Sequence, residues 1–416
     1  MTFACAAQPP AHTVEPLPSS VHATPNGPSS ETPREEQRPQ ALDEATRALR
    51  AAEQALRARR FDEAEAAAKA GIEAAQRTPT RDAPGTLTAL YRILGFVGAE
   101  RGKNAEAAAE FSQALAWSER ANQGPIAQGY LNLLMGRLEL LACDFDKARE
   151  ALDRVVQIEG PFLPKTEIDV GLAWANLAEV DAESARDDAA RANFERAIPL
   201  LQRTASTDPD ALGHALHELA WFQARRGQRR EAIQTLEQVV ELASRFPFGV
   251  HVASDVTKYQ ELVGPAGDVF LASHGIVVWR RSTPAAATAG ASRINPPPSS
   301  ARCPKPASTF VHHGQASNAE HVVASMRPSF RGCYKNELST RTNAEGQIRM
   351  TGKIDADGSV IEVVAIGSGF SPAMVDCAGS QFMAAKFAPP EGGGASIVIP
   401  VTFMFQDHTA ATRLPF

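Results

Sequence analysis

Apolar and small residues recur every three or four positions through residues 41–282, in stretches separated by short polar gaps, and this period predicts a run of amphipathic helices. The stretches copy one another. Anchoring on a small residue gives Ala64, Ala107, Ala148, Ala190 and Ala232, at spacings of 43, 41, 42 and 42. Four residues later stand Ala68, Phe111, Leu152, Phe194 and Leu236, and seven later Gly71, Ala114, Val155, Ala197 and Val239. Twelve before each anchor stand Ala52, Gly95, Gly136, Ala178 and Ala220. A helical comb explains matches within one helix but not a register held over five copies, so the block is an internal repeat. Residues 245–282 follow the last copy, and Gly264-Pro265-Ala266-Gly267 breaks any continuous helix there. The expectation is a cap over the last repeat's apolar edge.

After residue 316 the rhythm changes. Val322, Val323, Met326, Phe330, Cys333, Tyr334 and Leu338 keep helical spacing, with Pro328 expected to perturb that helix or mark its start. Residues 347–354 alternate as a strand, and Asp355-Ala356-Asp357-Gly358 is a hairpin signal. Val360 to Ile366 reads as a second strand, apolar on both faces. Ser371-Pro372 opens a second helix running to about Lys386. Residues 397–405 read as a last strand, alternating Ile397, Ile399, Val401, Phe403 and Phe405, with Val398, Pro400 and Thr402 between them. Proline donates no hydrogen bond, so Pro400 marks this strand as an edge.

The first block resembles the tetratricopeptide repeat in a long-helix, roughly 42-residue form. The resemblance rests on Leu94-Gly95, Gly102, Ala107, Phe111 and Ala114 in the second copy; the first copy has only alanine and glycine at these places. In that family the first helix of each pair lines a concave groove that binds peptides or extended segments. Carried over by position, the groove includes Arg92, Phe96, Tyr130, Arg137, Glu179, His214, His217, Trp221 and Arg225. An Arg-and-aromatic mixture suits a peptide or an acidic tail, and ordinary solvated groups are the competing reading. His214 and His217 are spaced to share a metal, but no third ligand is in view, so no metal or cofactor is expected.

The last 90 or so residues resemble the AgmX/PglI C-terminal domain, a relative of the TonB C-terminal domain. The residues that carry this are Phe330-Arg331-x-Cys333-Tyr334, Gly346, Asp357-Gly358-Ser359-Val360, Cys377, Phe387-x-Pro389-Pro390, Gly392-Gly393 and Pro400-Val401-x-Phe403. The resemblance implies a Cys333–Cys377 disulfide and hence an oxidising compartment; two buried free thiols are the alternative. It also implies that the edge strand, Ile397 to Phe403, takes up an extended partner segment. Cover by the chain's own residues 406–416 or by its linker is the alternative. Cys143 reads as packing, and Cys303 has no evident partner.

Composition adds boundaries and exclusions. Of 29 prolines, 8 fall in residues 1–40 and 6 in residues 283–308, so both stretches are expected to be tethers too poor in apolar surface to fold. The expected layout is a tether (1–40), an all-α superhelical solenoid (41–282), a linker (283–316), a small α+β domain (317–408) and a tail (409–416). A net charge of −6 spread along the chain argues against a nucleic-acid partner. No window approaches 18 uninterrupted apolar residues, so no spanning helix is encoded. Cys5, after Ala4 and before a Pro/Ser-rich stretch, stands where bacterial lipoproteins are lipidated; otherwise it is incidental. A lipid there would be the only link to a membrane. No phosphate loop, G-x-S-x-G elbow or H-E-x-x-H motif appears, so no enzyme and no small-molecule substrate is expected. The expected role is a protein-interaction scaffold of a bacterial cell envelope, periplasmic or outer-membrane anchored. The alternatives are a TonB-like energy transducer and a cytosolic scaffold.

Overall fold

A computed structural model describes residues 37–77, 82–246, 252–281, 316–390 and 393–404. Ten helices form five consecutive pairs: α1 (Gln37–Arg57) with α2 (Phe61–Arg77), α3 (Ala83–Glu100) with α4 (Asn104–Arg120), and α5 (Pro125–Leu141) with α6 (Phe145–Glu159). Then come α7 (Glu167–Glu183) with α8 (Asp187–Thr204), and α9 (Pro209–Arg225) with α10 (Arg229–Arg245). Each pair packs on the next, giving a tetratricopeptide-like stack.

The periodic small residues explain the pairing. All five anchor alanines are fully buried. The glycine twelve before an anchor makes room for the large residue four after it: a Cβ at Gly95 would lie 2.8 Å from the Phe111 ring, and one at Gly136 would lie 2.6 Å from Leu152 Cγ. The two helices thus approach closely, and the large side chain fills the space over the missing Cβ.

The turn inside each pair is also periodic. Arg59, Gly102, Cys143, Ala185 and Gly227 all have positive φ (55, 71, 65, 57 and 73°). Each stands five residues before its anchor. In every case the next residue's N–H reaches back five residues, as in Lys103 N to Gly98 O at 2.9 Å and Gln228 N to Gln223 O at 2.9 Å. This is the Schellman closure, which satisfies the last carbonyls of the first helix.

Ionic contacts knit successive pairs. Buried Asp181 accepts from Arg149, from Arg186 Nε at 2.7 Å and from Asn193 Nδ2 at 2.8 Å. Arg226 grips Asp187 through two nitrogens at 2.6 and 2.7 Å.

Beyond α10, α11 (Val252–Val263) and α12 (Gly267–Ser273) cover the last pair as a cap would. The next segment departs from the expectation. Ile276–Arg280 is a strand, β1, and it belongs to the C-terminal sheet. That sheet continues with α13 (Ala319–Thr340), β2 (Gly346–Asp355), β3 (Val360–Ser368), α14 (Pro372–Met383) and β4 (Gly394–Phe403). Its order is β1-β3-β2-β4, antiparallel throughout, with four strands where the sequence pattern yields three. Helix α13 runs through Pro328, which stands on its solvent side, where water can take up the Ala324 carbonyl that the proline leaves without a donor.

Both sheet faces are covered at the β1–β3 half. Helices α13 and α14 bury Phe330, Tyr334, Val375 and Phe382 against Met350, Val363 and Ile399 on one face. The other face sets Ile276, Val364 and Ile366 against Leu236, Val240, Val256, Tyr259 and Leu271 of α10–α12. This accounts for β3 being apolar on both faces. Trp279 of β1 lies on Gly379 of α14, where any Cβ would overlap the indole. The C-terminal unit is therefore built onto the end of the solenoid. The expected linker, residues 283–316, lies almost wholly outside the described residues.

Candidate interaction surfaces

The first helices of the pairs carry the residues that the repeat pattern assigns to the groove. Tyr130 is 38% exposed and Arg137 is exposed; Arg92, Phe96, His214, Trp221 and Arg225 are half-buried; Glu179 and His217 are buried. Phe96 turns into its own pair, meeting Phe111 edge-on with ring centroids 5.2 Å apart. Burial raises the Tyr130 hydroxyl above the usual phenol range, with Arg92 of α3 opposing and Asp169 of α7 adding to the shift. Those three groups therefore share one stretch of the wall.

At the far end the two histidines diverge. His214 Nε2 lies 3.3 Å from Asn176 Oδ1 on α7, whereas His217 Nδ1 lies 2.6 Å from Asp255 Oδ1 on α11. Trp221 Nε1 donates to the same Asp255 oxygen at 3.3 Å, and Lys258 Nζ lies 5.0 Å from the Trp221 ring centroid. Among the described residues no group of three or more His, Cys, Asp or Glu is placed to hold a metal. Here these side chains fasten α11 to the last pair. Arg225 is held by Glu183 at 3.2 Å. The repeat pattern could not reveal Asp255 or Lys258, because α11 lies beyond the last copy.

Among the described residues β4 pairs with β2 on one side only and forms an edge of the sheet; residues 406–416, the alternative cover, lie outside them. Pro400 stands opposite Arg349 in an unbroken ladder. A proline fits only where the strand's N–H would point away from its neighbour, so by alternation Val398 and Thr402 also direct their backbone groups outward. Ile399, Val401 and Phe403 are buried toward the helices, and Ile397 is half-buried with them. Val398 is 46% exposed, and Pro400 and Thr402 are exposed beside it. Met404, just past the strand, is 66% exposed. Arg349, at the other side of the ladder, is half-buried and feels Asp210 near the start of α9, a further tie between sheet and solenoid.

Cys333 and Cys377 are joined by a disulfide, Cα atoms 5.7 Å apart, linking α13 to α14. Cys143, read from sequence as packing, is disulfide-bonded too, at a half-buried turn position rather than in a helix core. Cys5 and Cys303 lie outside the described residues. Among the described residues no helix is long and apolar enough to cross a membrane.

No family model matches this chain, and no curated protein matches it. Solved structures do resemble it. BtubC (BKLC) from P. vanneervenii is 18% identical over 51% of this chain and 87% of its own, with a TM-score of 0.42. The apo form of RapI is 9% identical over 56% and 62%, with a TM-score of 0.46. The nearly identical TPR-like repeats of a Podosopora anserina putative kinesin light chain are 20% identical over 49% and 96%, with a TM-score of 0.38. The tetratricopeptide-like character of this chain stands on its own period, turns and packing.

Proposed function

We propose that this chain is a non-enzymatic scaffold that binds two protein segments, one along the solenoid groove and one along the free edge of β4. The observation that carries the reading is the β4 edge, unpaired among the described residues, flanked by exposed Val398 and directed outward at Val398, Pro400 and Thr402. An extended segment added there would gain backbone hydrogen bonds, with selectivity from the apolar side chains beside them. The exposed Tyr130 and Arg137 on the first helices support a second site for a peptide or an acidic tail. The likeness of the C-terminal residues to AgmX/PglI and TonB domains belongs to this proposal, as does a bacterial cell envelope location. The Cys333–Cys377 disulfide supports that location, since such bridges persist in oxidising compartments.

Val398→Pro and Thr402→Pro test the edge. Both remove outward N–H groups and spare the ladder to β2. Crosslinked partners of the full chain should be lost in these variants and retained in Lys353→Ala, on the neighbouring strand. Retention of the same partners by both folded proline variants would refute strand addition. Tyr130→Ala combined with Arg137→Glu tests the groove separately.

A further inference from the structure

Glu159 ends α6, and its side chain is completely buried. Neither carboxyl oxygen has a hydrogen-bond donor among the described groups. The carboxyl lies against the backbone of Gly129 in α5: a Cβ there would overlap Oε1 and come within 2.5 Å of Cγ. The Thr166 hydroxyl donates to the Glu159 main-chain carbonyl at 2.8 Å, tying the start of α7 to the same point. Glu159 cannot swing to solvent without parting these elements.

The charged group facing it from α7 is Asp169. From α5 the neighbouring titratable group is Tyr130, which feels Asp169 and Arg92. The α6–α7 loop carries Lys165, which is exposed, and Glu167 at the start of α7 accepts from Arg203 at 2.7 Å. No cation among the described residues acts on Glu159. Two carboxylates at such a site repel, but one proton between them makes an O–H···O bond. Burial, and then the charge and hydrogen bond of Asp169, push the Glu159 carboxyl up to about 8.

We propose that Glu159 and Asp169 form a proton-dependent fastener of the third and fourth helix pairs, holding α5, α6 and α7 together through one shared proton and loosening that joint when the proton leaves. The sign follows from linkage. An unfolded chain releases this proton near the ordinary glutamate value of 4.5, and the folded chain keeps it to about 8. The stabilisation is therefore full below about 4.5 and lost progressively as pH rises to about 8.

The test compares thermal unfolding of the full chain and of Glu159→Gln between about pH 5 and pH 8.5, a window that brackets the Glu159 titration. Glutamine keeps the shape and donates to Asp169 without titrating. The melting temperature of the variant relative to wild type should rise steadily with pH across this window. In wild type, amide exchange in α5–α7 should quicken relative to the variant near the top of the window. Parallel curves would overturn the proposal. The carboxyl carbon resonance of Glu159 in wild type decides the matter independently, should the variant not fold: a midpoint near 8 supports the fastener, and one near 4.5 overturns it. Asp169→Asn should lower that midpoint, and an unmoved midpoint would overturn the shared proton.

Discussion

Expressing residues 316–416 without the preceding chain asks whether the C-terminal unit stands alone. The fragment lacks β1, and with it the surface of α10–α12 that covers β3. Val364 and Ile366, 2% and 3% exposed in the whole chain, would return to water. At roughly 1.5–3 kcal/mol for each fully buried aliphatic side chain, that is about 3–6 kcal/mol. Loss of Trp279 from its seat on Gly379 leaves a slot over α14, worth about 2–3 kcal/mol for a half-buried indole. The sum, about 5–9 kcal/mol, matches the whole stability of a typical small domain, roughly 5–15 kcal/mol. The fragment alone should therefore show a shallow urea transition by circular dichroism and bind a hydrophobic dye. Co-expression with residues 1–281 should restore a cooperative transition and yield a complex that co-purifies. A fragment that unfolds cooperatively at the midpoint of the intact chain would refute this account of the sheet.

Other expectations follow from the repeat and its charges. Ala107→Leu, at a fully buried anchor facing Gly98, should overpack α3 against α4 and cost about 1–3 kcal/mol by thermal unfolding. Ala185→Gly, at φ 57°, should raise stability by about 0.5–1 kcal/mol, because glycine takes the left-handed turn without strain; a lowered melting temperature would contradict the turn geometry. Burial opposes ionisation of Glu337, yet the Ser371 hydroxyl and amide and Arg341 outweigh it and hold the carboxyl below its usual range. That stabilisation is present above the ordinary glutamate value and lost as pH falls through the depressed one, so Glu337→Gln should flatten the acid limb of the stability profile.

The helical repeat was legible because its cause is local. Small residues at fixed intervals permit close helix contact, and the pattern of Gly95, Ala107 and Phe111 records that contact directly. The edge position of β4 was legible for the same reason, since Pro400 restricts its own backbone. What escaped sequence reasoning depends on distant partners. Ile276 to Trp279 is a short apolar run that fits a cap helix as well as a strand, and only its pairing with Val363 to Ile366 decides. The two-sided apolar character of β3 was the one available hint, and it asked for cover that three strands and two helices do not provide. Of the groove residues, Glu179 and His217 are buried and Phe96 faces its own pair, because position in a repeat fixes a helix face but not its neighbours. Glu159 gave no signal at all: a glutamate at a helix end is ordinarily solvated, and only Gly129, thirty residues earlier, reveals otherwise.

The pairing of β1 with β3 joins Ile276 to Ile366 across a long stretch of chain, whereas every helix pair closes within about 42 residues. Local contacts form early and distant ones late, because a large loop must close before its contacts bring any return. As the chain leaves the ribosome the five helix pairs and α11–α12 can assemble in turn, but the apolar face that α10–α12 present to Val364 and Ile366 stays open until β3 has been made. That interval exposes an apolar surface and an unpaired strand at the same place, the combination that makes folding intermediates aggregate. The vulnerable moment in this protein's synthesis therefore follows the five helix pairs, at the seam between solenoid and sheet.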